Sequence, residues 1–251
     1  MKLKDLYKDA IETGIKYDPR GIPAIKKELK VKNEAFNKIS KHEQKGFDQE
    51  SLTNPYADTR ILYGDGEKQI KRVLVGIDIE TAELLLADRL ARVSNKPIDL
   101  CISHHPEGAA WAGFYEVMGM QADILAKAGV PIHIGESLIQ ERMQEVSRKV
   151  HAANHSRALD AAKLLDIPLL CIHTAADNCA QNFVRNVLDK KNPELLGDVI
   201  AVLKEVPEYK IAVQEKAGPK IIKGNTNQKA GKIFVEMTGG TEGHQKAYES
   251  Y

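Results

Sequence analysis

The sequence predicts an α/β protein, a sheet with helices on its faces behind a helical N-terminal arm, and three observations carry that prediction. Compact apolar runs recur at Arg72 to Asp78, Ile98 to Ile102 and Pro168 to Ile172; the last two lack internal glycine and are too short for buried helices. Between them lie longer segments with apolar residues at helical spacing, the clearest being Thr81 to Ser94. Ahead of them, residues 1–57 combine helical periodicity with a highly charged background. Strands and helices that alternate in this way build a sheet covered by helices.

The elements follow in order. Lys4 to Lys16 and Ile22 to Ile39 read as helices broken at Asp18-Pro19 and Gly21. This arm holds no metal-type cluster, so its charges read as a solvated face, with an oligomer contact as the sharper alternative. Asn54 to Arg60 reads as a turn into the body, where Asp58 and Arg60 are either substrate contacts or a turn-stabilising pair. The body, residues 58–251, opens with the strand Arg72 to Asp78 and the helix Thr81 to Ser94, with Thr81 at its N-cap. Asp78 either orients a ligand histidine or stabilises that helix N-terminus. A helix near Phe114 to Ala128, a strand Pro131 to Ile134, helices near Glu136 to Val150 and Ser156 to Leu165, and the strand Pro168 to Ile172 come next. A last strand, Lys232 to Met237, leads into the glycine-rich turn Thr238-Gly239-Gly240-Thr241-Glu242-Gly243.

Composition narrows the function classes. With 251 residues, 43% apolar and 28% charged, the chain can bury a substantial core. A net charge of +1 leaves no electrostatic footprint for nucleic acid. No stretch approaches a membrane span, and the early acid at Asp5 with no apolar signal core leads to an expected cytoplasmic location. Cys101, Cys171 and Cys179 are odd in number without CxxC spacing, which reads as reduced thiols; the first two, inside apolar runs, read as core residues.

The chemistry concentrates where two runs end: Cys101-Ile102-Ser103-His104-His105-Pro106 and Cys171-Ile172-His173-Thr174-Ala175-Ala176-Asp177. In a parallel sheet, ligands gather beyond the carboxyl ends of the strands, so His104, His105, His173 and Asp177 can meet across the sequence gap. Three imidazoles and a carboxylate suit zinc, manganese, iron, cobalt or nickel rather than calcium. Successive side chains on extended backbone diverge, which favours two ions over one, with the aspartate as a bridge. A histidine doublet alone is as well explained as a polar strand exit; the matching second element is what argues for metal. Three other motifs are set aside. His151-x-x-x-His155 lacks the glutamate of His-Glu-x-x-His, and His133 with Glu136 reads as structural or supporting. Gly224 to Lys232 has the wrong spacing for a phosphate loop.

At Ser103-His104-His105-Pro106, His173-Thr174-x-x-Asp177 and Thr238-Gly239-Gly240-Thr241-Glu242 the chain resembles the Nif-three-like family of dinuclear metal-centre proteins, also described as type 2 GTP cyclohydrolase I homologues. The resemblance spans roughly residues 58 to 251. It implies a mixed sheet with helices on its faces, a ring-like homo-oligomer such as a hexamer, and up to two divalent transition ions per chain. By position, the implied ligands are His104, His105, His173 and Asp177. The family's further His-x-x-x-acid element has no counterpart before Tyr251, so either the chain is truncated, which is the favoured expectation, or His244 substitutes with Glu242 or Glu249. Truncation implies weaker metal binding and a missing second ion. No guanine-binding constellation is visible. The functional expectation is a divalent metal-binding protein, read further as a metal-dependent hydrolase of unknown small-molecule substrate with Glu107 or Glu242 as proton carriers. The alternatives are a non-enzymatic metal-handling or interaction scaffold, or metals that serve as structural staples.

Overall fold

The computed structural model describes residues 1–249; Ser250 and Tyr251, the last of the segment read as the opening of a helix, lie outside the described residues. The chain forms two compact units, Met1–Cys179 with Thr238–Tyr251, and Ala180–Met237. Among the described residues no helix is long and apolar enough to cross a membrane.

The first unit opens with helices α1 (Leu3–Tyr17), α2 (Ile22–Lys38) and the one-turn α3 (Lys41–Gln44). Gly21 separates the first two with a φ of 85°, a backbone that other residues rarely adopt. Strands β1 (Arg60–Tyr63) and β2 (Val73–Gly76), helix α4 (Thr81–Ser94), β3 (Leu100–Ser103) and α5 (Gly108–Ala112) follow. Then come α6 (Met120–Ala128), α7 (Ile132–His151), α8 (Arg157–Leu165), β4 (Leu169–Cys171) and α9 (Thr174–Lys191). The second unit contains α10 (Leu196–Leu203) and α11 (Pro207–Gln214), and α12 (Gln245–Glu249) returns to the first.

The sheet has the order β1-β4-β3-β2, with β2, β3 and β4 parallel and β1 antiparallel to β4. One face packs Cys101 and Leu169 against Leu84 and Ala87 of α4 and Ala158 and Ala162 of α8. The other packs Leu100 and Leu170 against Leu3 of α1, all three fully buried. Full burial of a leucine contributes roughly 1.5–3 kcal/mol, so both faces are held by their apolar stripes. Gly14 lets α1 come close to α9, because an added Cβ there would meet the Cβ of Ala175 at 2.7 Å.

Three local predictions are corrected. Pro131 to Ile134 is not a strand: Pro131 is the N-cap of α7, and Ile132 to Ile134 form its first turn, exposed and without a strand partner. A short apolar run carries no period of its own, and proline just ahead of a helix start is a common arrangement. Lys232 to Met237 joins no ladder. β1, which sequence reading passed over as the end of a turn, completes the mixed sheet. In addition, Glu80 rather than Thr81 caps α4, its backbone N–H donating to Glu83 Oε2 at 2.9 Å.

Candidate metal centre

The register of the sheet assembles the site. Arg60, Cys171, Ser103 and Gly76 form one row across all four strands. Two residues beyond that row, on each strand in turn, stand Asp58, His173, His105 and Asp78. The four meet in pairs, His173 with Asp58 and His105 with Asp78. The antiparallel sense of β1 is essential, since it puts the start of that strand beside the carboxyl ends of the other three. Backbone bonds carry the order past the strands: the N–H groups of His104, His105 and Ile172 donate to the carbonyls of Gly76, Ile77 and Ser103 at 2.9, 2.7 and 2.9 Å.

His104, His105 and His173 each offer a ligand nitrogen, all within 4.8 Å of one another. Their rings stand 4.7 to 6.0 Å apart, centre to centre. Each Nδ1 is engaged by an acceptor: Asp58 Oδ2 at 2.9 Å for His173, Asp78 Oδ1 at 2.7 Å for His105, and the Ile172 carbonyl at 3.1 Å for His104. A carbonyl has no proton to give and a carboxylate only accepts, so in the neutral ring Nδ1 carries the hydrogen and Nε2 keeps its lone pair for coordination. Asp177, one turn along α9 from His173, brings Oδ1 to 3.4 Å from His104 Nε2 and Oδ2 to 3.8 Å from His173 Nε2.

Burial sets the electrostatics. It pushes the Asp177 carboxyl up to about 6, with the charge of Asp58 acting in the same direction and that of His173 opposing it. Burial also lowers His104, helped by the neighbouring His173, so its neutral form is favoured. For His173 burial acts downward too, but the hydrogen bond and charge of Asp58 outweigh it and the net shift is upward. Glu107 is raised to about 7 by burial, with the charges of Glu80 and Asp78 adding and Arg157 opposing.

The remaining candidates divide. Glu107 is buried and lines the cavity beside His105 and His173. The Glu242 side chain is 81% exposed, with its carboxylate 3.7 Å from Arg142, and it is not part of that lining. His244 accepts from the Lys246 N–H through Nδ1 at 3.1 Å and is outside the three-histidine group. The glycine turn does reach the site: Gly240 and Thr241 line the cavity. Gln121 holds that turn, its Nε2 donating to the carbonyls of Gly239 and Thr241 at 2.8 and 2.7 Å. His151 and His155 do not share a helix face, because α7 ends at His151; His155 instead meets Trp111 edge-on at 5.1 Å. Cys101 and Cys171 are fully buried, and Cys171 donates its thiol to the Asp58 carbonyl at 3.1 Å.

Asp58 is the functional residue that sequence reading undervalued. It is fully buried and takes the Thr174 hydroxyl at 2.6 Å in addition to His173. The Asp58–Arg60 pair does not form; Arg60 bonds Asp48 and Glu50 instead. The only sequence signal is an acid two residues ahead of a four-residue strand, Arg60–Tyr63, in which three residues are apolar.

This is an α/β protein whose carboxyl-edge histidines form a group able to hold a metal ion. No family model matches the chain, and no curated protein does. Among solved structures, a NIF3 superfamily protein from Sphaerobacter thermophilus matches with a TM-score of 0.68 at 29% identity, over 78% of this chain and 69% of that one. The chain has the Nif-three-like fold.

Proposed function

We propose that the chain binds divalent transition metal, up to two ions, through His104, His105, His173 and Asp177. The observation that supports this best is that three converging histidines each have Nδ1 engaged by an oxygen acceptor, which is the usual support of metal-ligating imidazoles. The donor set fits the group, since three imidazoles and a carboxylate suit a borderline ion such as zinc, manganese, iron, cobalt or nickel. A bound ion supplies Lewis acidity toward a substrate oxygen or water. Asp58, Asp78 and the Ile172 carbonyl orient the rings, and Glu107, buried in the lining of the same cavity, is the proposed proton carrier. A metal-dependent hydrolase is the reading these residues support, with the cytoplasm as its proposed location.

The test is elemental analysis and calorimetric titration with zinc and manganese, beside a His105→Ala, Asp177→Ala variant. One or two ions in the parent and none in the variant are expected; a parent that takes up no metal overturns the proposal. Self-association, as a scaffold or an oligomeric enzyme, draws on a separate observation. Val73, Val75 and Ile77 are 41%, 63% and 60% exposed along the β2 edge.

A further inference from the structure

Asn178 follows Asp177 on α9, is fully buried, and bonds three other segments of the chain. We propose that Asn178 is a positioning residue of the metal centre: it fixes the rotation of α9, and with it the aim of Asp177, against the helical arm, the approach to Asp58 and the glycine turn. The inference rests on the metal-binding reading above and names what holds its carboxylates in place.

The hydrogen bonds assign both ends of the amide. Asn178 Nδ2 donates to the Gly14 carbonyl of α1 and to the Tyr56 hydroxyl, each at 3.1 Å, and its Oδ1 accepts from the Thr238 hydroxyl at 2.7 Å. The amide cannot be reversed. A carbonyl only accepts, and Tyr56 gives its own proton to Asp18 Oδ2 at 2.9 Å, so both positions need a donor from Asn178. Asp18 in turn receives Arg20 through Nε and Nη2 at 3.0 and 2.9 Å. Tyr56 is fully buried, and Asp18, Arg20 and Thr238 are buried as well.

What the partners carry gives this network its role. Tyr56 stands two residues ahead of Asp58, the acceptor for His173. Thr238 opens the turn whose Gly240 and Thr241 line the cavity with His105 and His173. Successive side chains on a helix stand about 100° apart, so with Asn178 pinned to the arm Asp177 is held at a set angle from it, toward His104 and His173. Packing does little to set that angle, because α1 meets α9 at Gly14 and Ala175, two small residues. Burial of Leu3 holds the arm to the sheet, but the hydrophobic effect has no direction. A buried polar network whose members are all satisfied selects one arrangement.

The test measures zinc affinity by competition with a chelator, and the visible absorption of the cobalt(II)-loaded protein, which reports coordination geometry. Asn178→Ala should weaken zinc about tenfold and alter the cobalt spectrum. Tyr56→Phe keeps the ring in the core and removes only the hydroxyl. It should move both readouts in the same direction by less, and it carries the test should Asn178→Ala not fold. Leu84→Ala is the control, in the core on the sheet face that α1 does not cover; it should lower the melting temperature and leave both readouts at the parent's values. Zinc affinity and cobalt spectrum unchanged in Asn178→Ala and Tyr56→Phe, whatever their melting temperatures, would mean a purely structural role and overturn this inference alone. An equal loss of affinity in Leu84→Ala also overturns it, since any loosening of the fold would then suffice. A parent that takes up no zinc overturns the metal centre and this inference together.

Discussion

The two edges of the sheet each lend a carboxylate to a histidine, and they do so in opposite surroundings. On the β1 side Asp58 is fully buried and its ring partner, His173, is 6% exposed. On the β2 side the Asp78 and His105 side chains are 66% and 53% exposed. The bonds are similar in length, 2.9 and 2.7 Å, so geometry alone would rank them together. Burial separates them. An exposed pair exchanges protein contacts for water at little net gain, whereas a buried donor that loses its acceptor has nothing to replace it. The β1 side therefore supports the fold and the site together, and the β2 side orients a ligand that solvent can also reach.

That difference is broken most severely by Asp58→Ala. It leaves the His173 Nδ1–H and the Thr174 hydroxyl without an acceptor in a fully buried place. Each stranded group costs about 1–3 kcal/mol, so unfolding in denaturant should show a loss of about 3 kcal/mol or more. Metal affinity should fall by about 10- to 100-fold in the fraction that remains folded, since the histidine loses both its orientation and its tautomer. Asp78→Ala should separate the two effects. Its unfolding free energy should stay within about 0.5 kcal/mol of the parent, while calorimetric metal affinity drops by up to about tenfold. Equal stability losses in the two variants would show that burial is not what distinguishes the edges.

The same contrast explains what the sequence made legible. His104, His105 and His173 were found because each stands where an apolar run stops, and the central strands β3 and β4 are buried enough to read as such runs. Asp78 was placed beside the site for the same reason, at the end of Arg72 to Asp78. Asp58 was not, because its strand is four half-buried residues with a bulge between Ile61 and Tyr63, too short to show a period. Its antiparallel sense, which brings Asp58 to the histidines, is a tertiary fact with no local signature. Pro131 to Ile134 failed in the opposite direction, an apolar run that sequence reading took for a strand and that starts a helix.

The smallest effect on the isolated chain is expected at the open β2 edge. Val73, Val75 and Ile77 project to the face that α1 covers farther in, at Leu100 and Leu170, but here they remain exposed. Parallel pairing with β3 satisfies one side of β2, and its outer edge has no strand partner among the described residues, a template for another strand. Val75→Lys puts a charge on that edge without removing core contact, so the unfolding free energy should stay within about 0.5 kcal/mol of the parent. Its effect should instead appear in light scattering, as a shift from oligomer to monomer at concentrations where the parent associates. A parent that is monomeric throughout, or an oligomer indifferent to the lysine, would remove the β2 edge as the contact. The exposed side would then differ from the buried one in solvation alone.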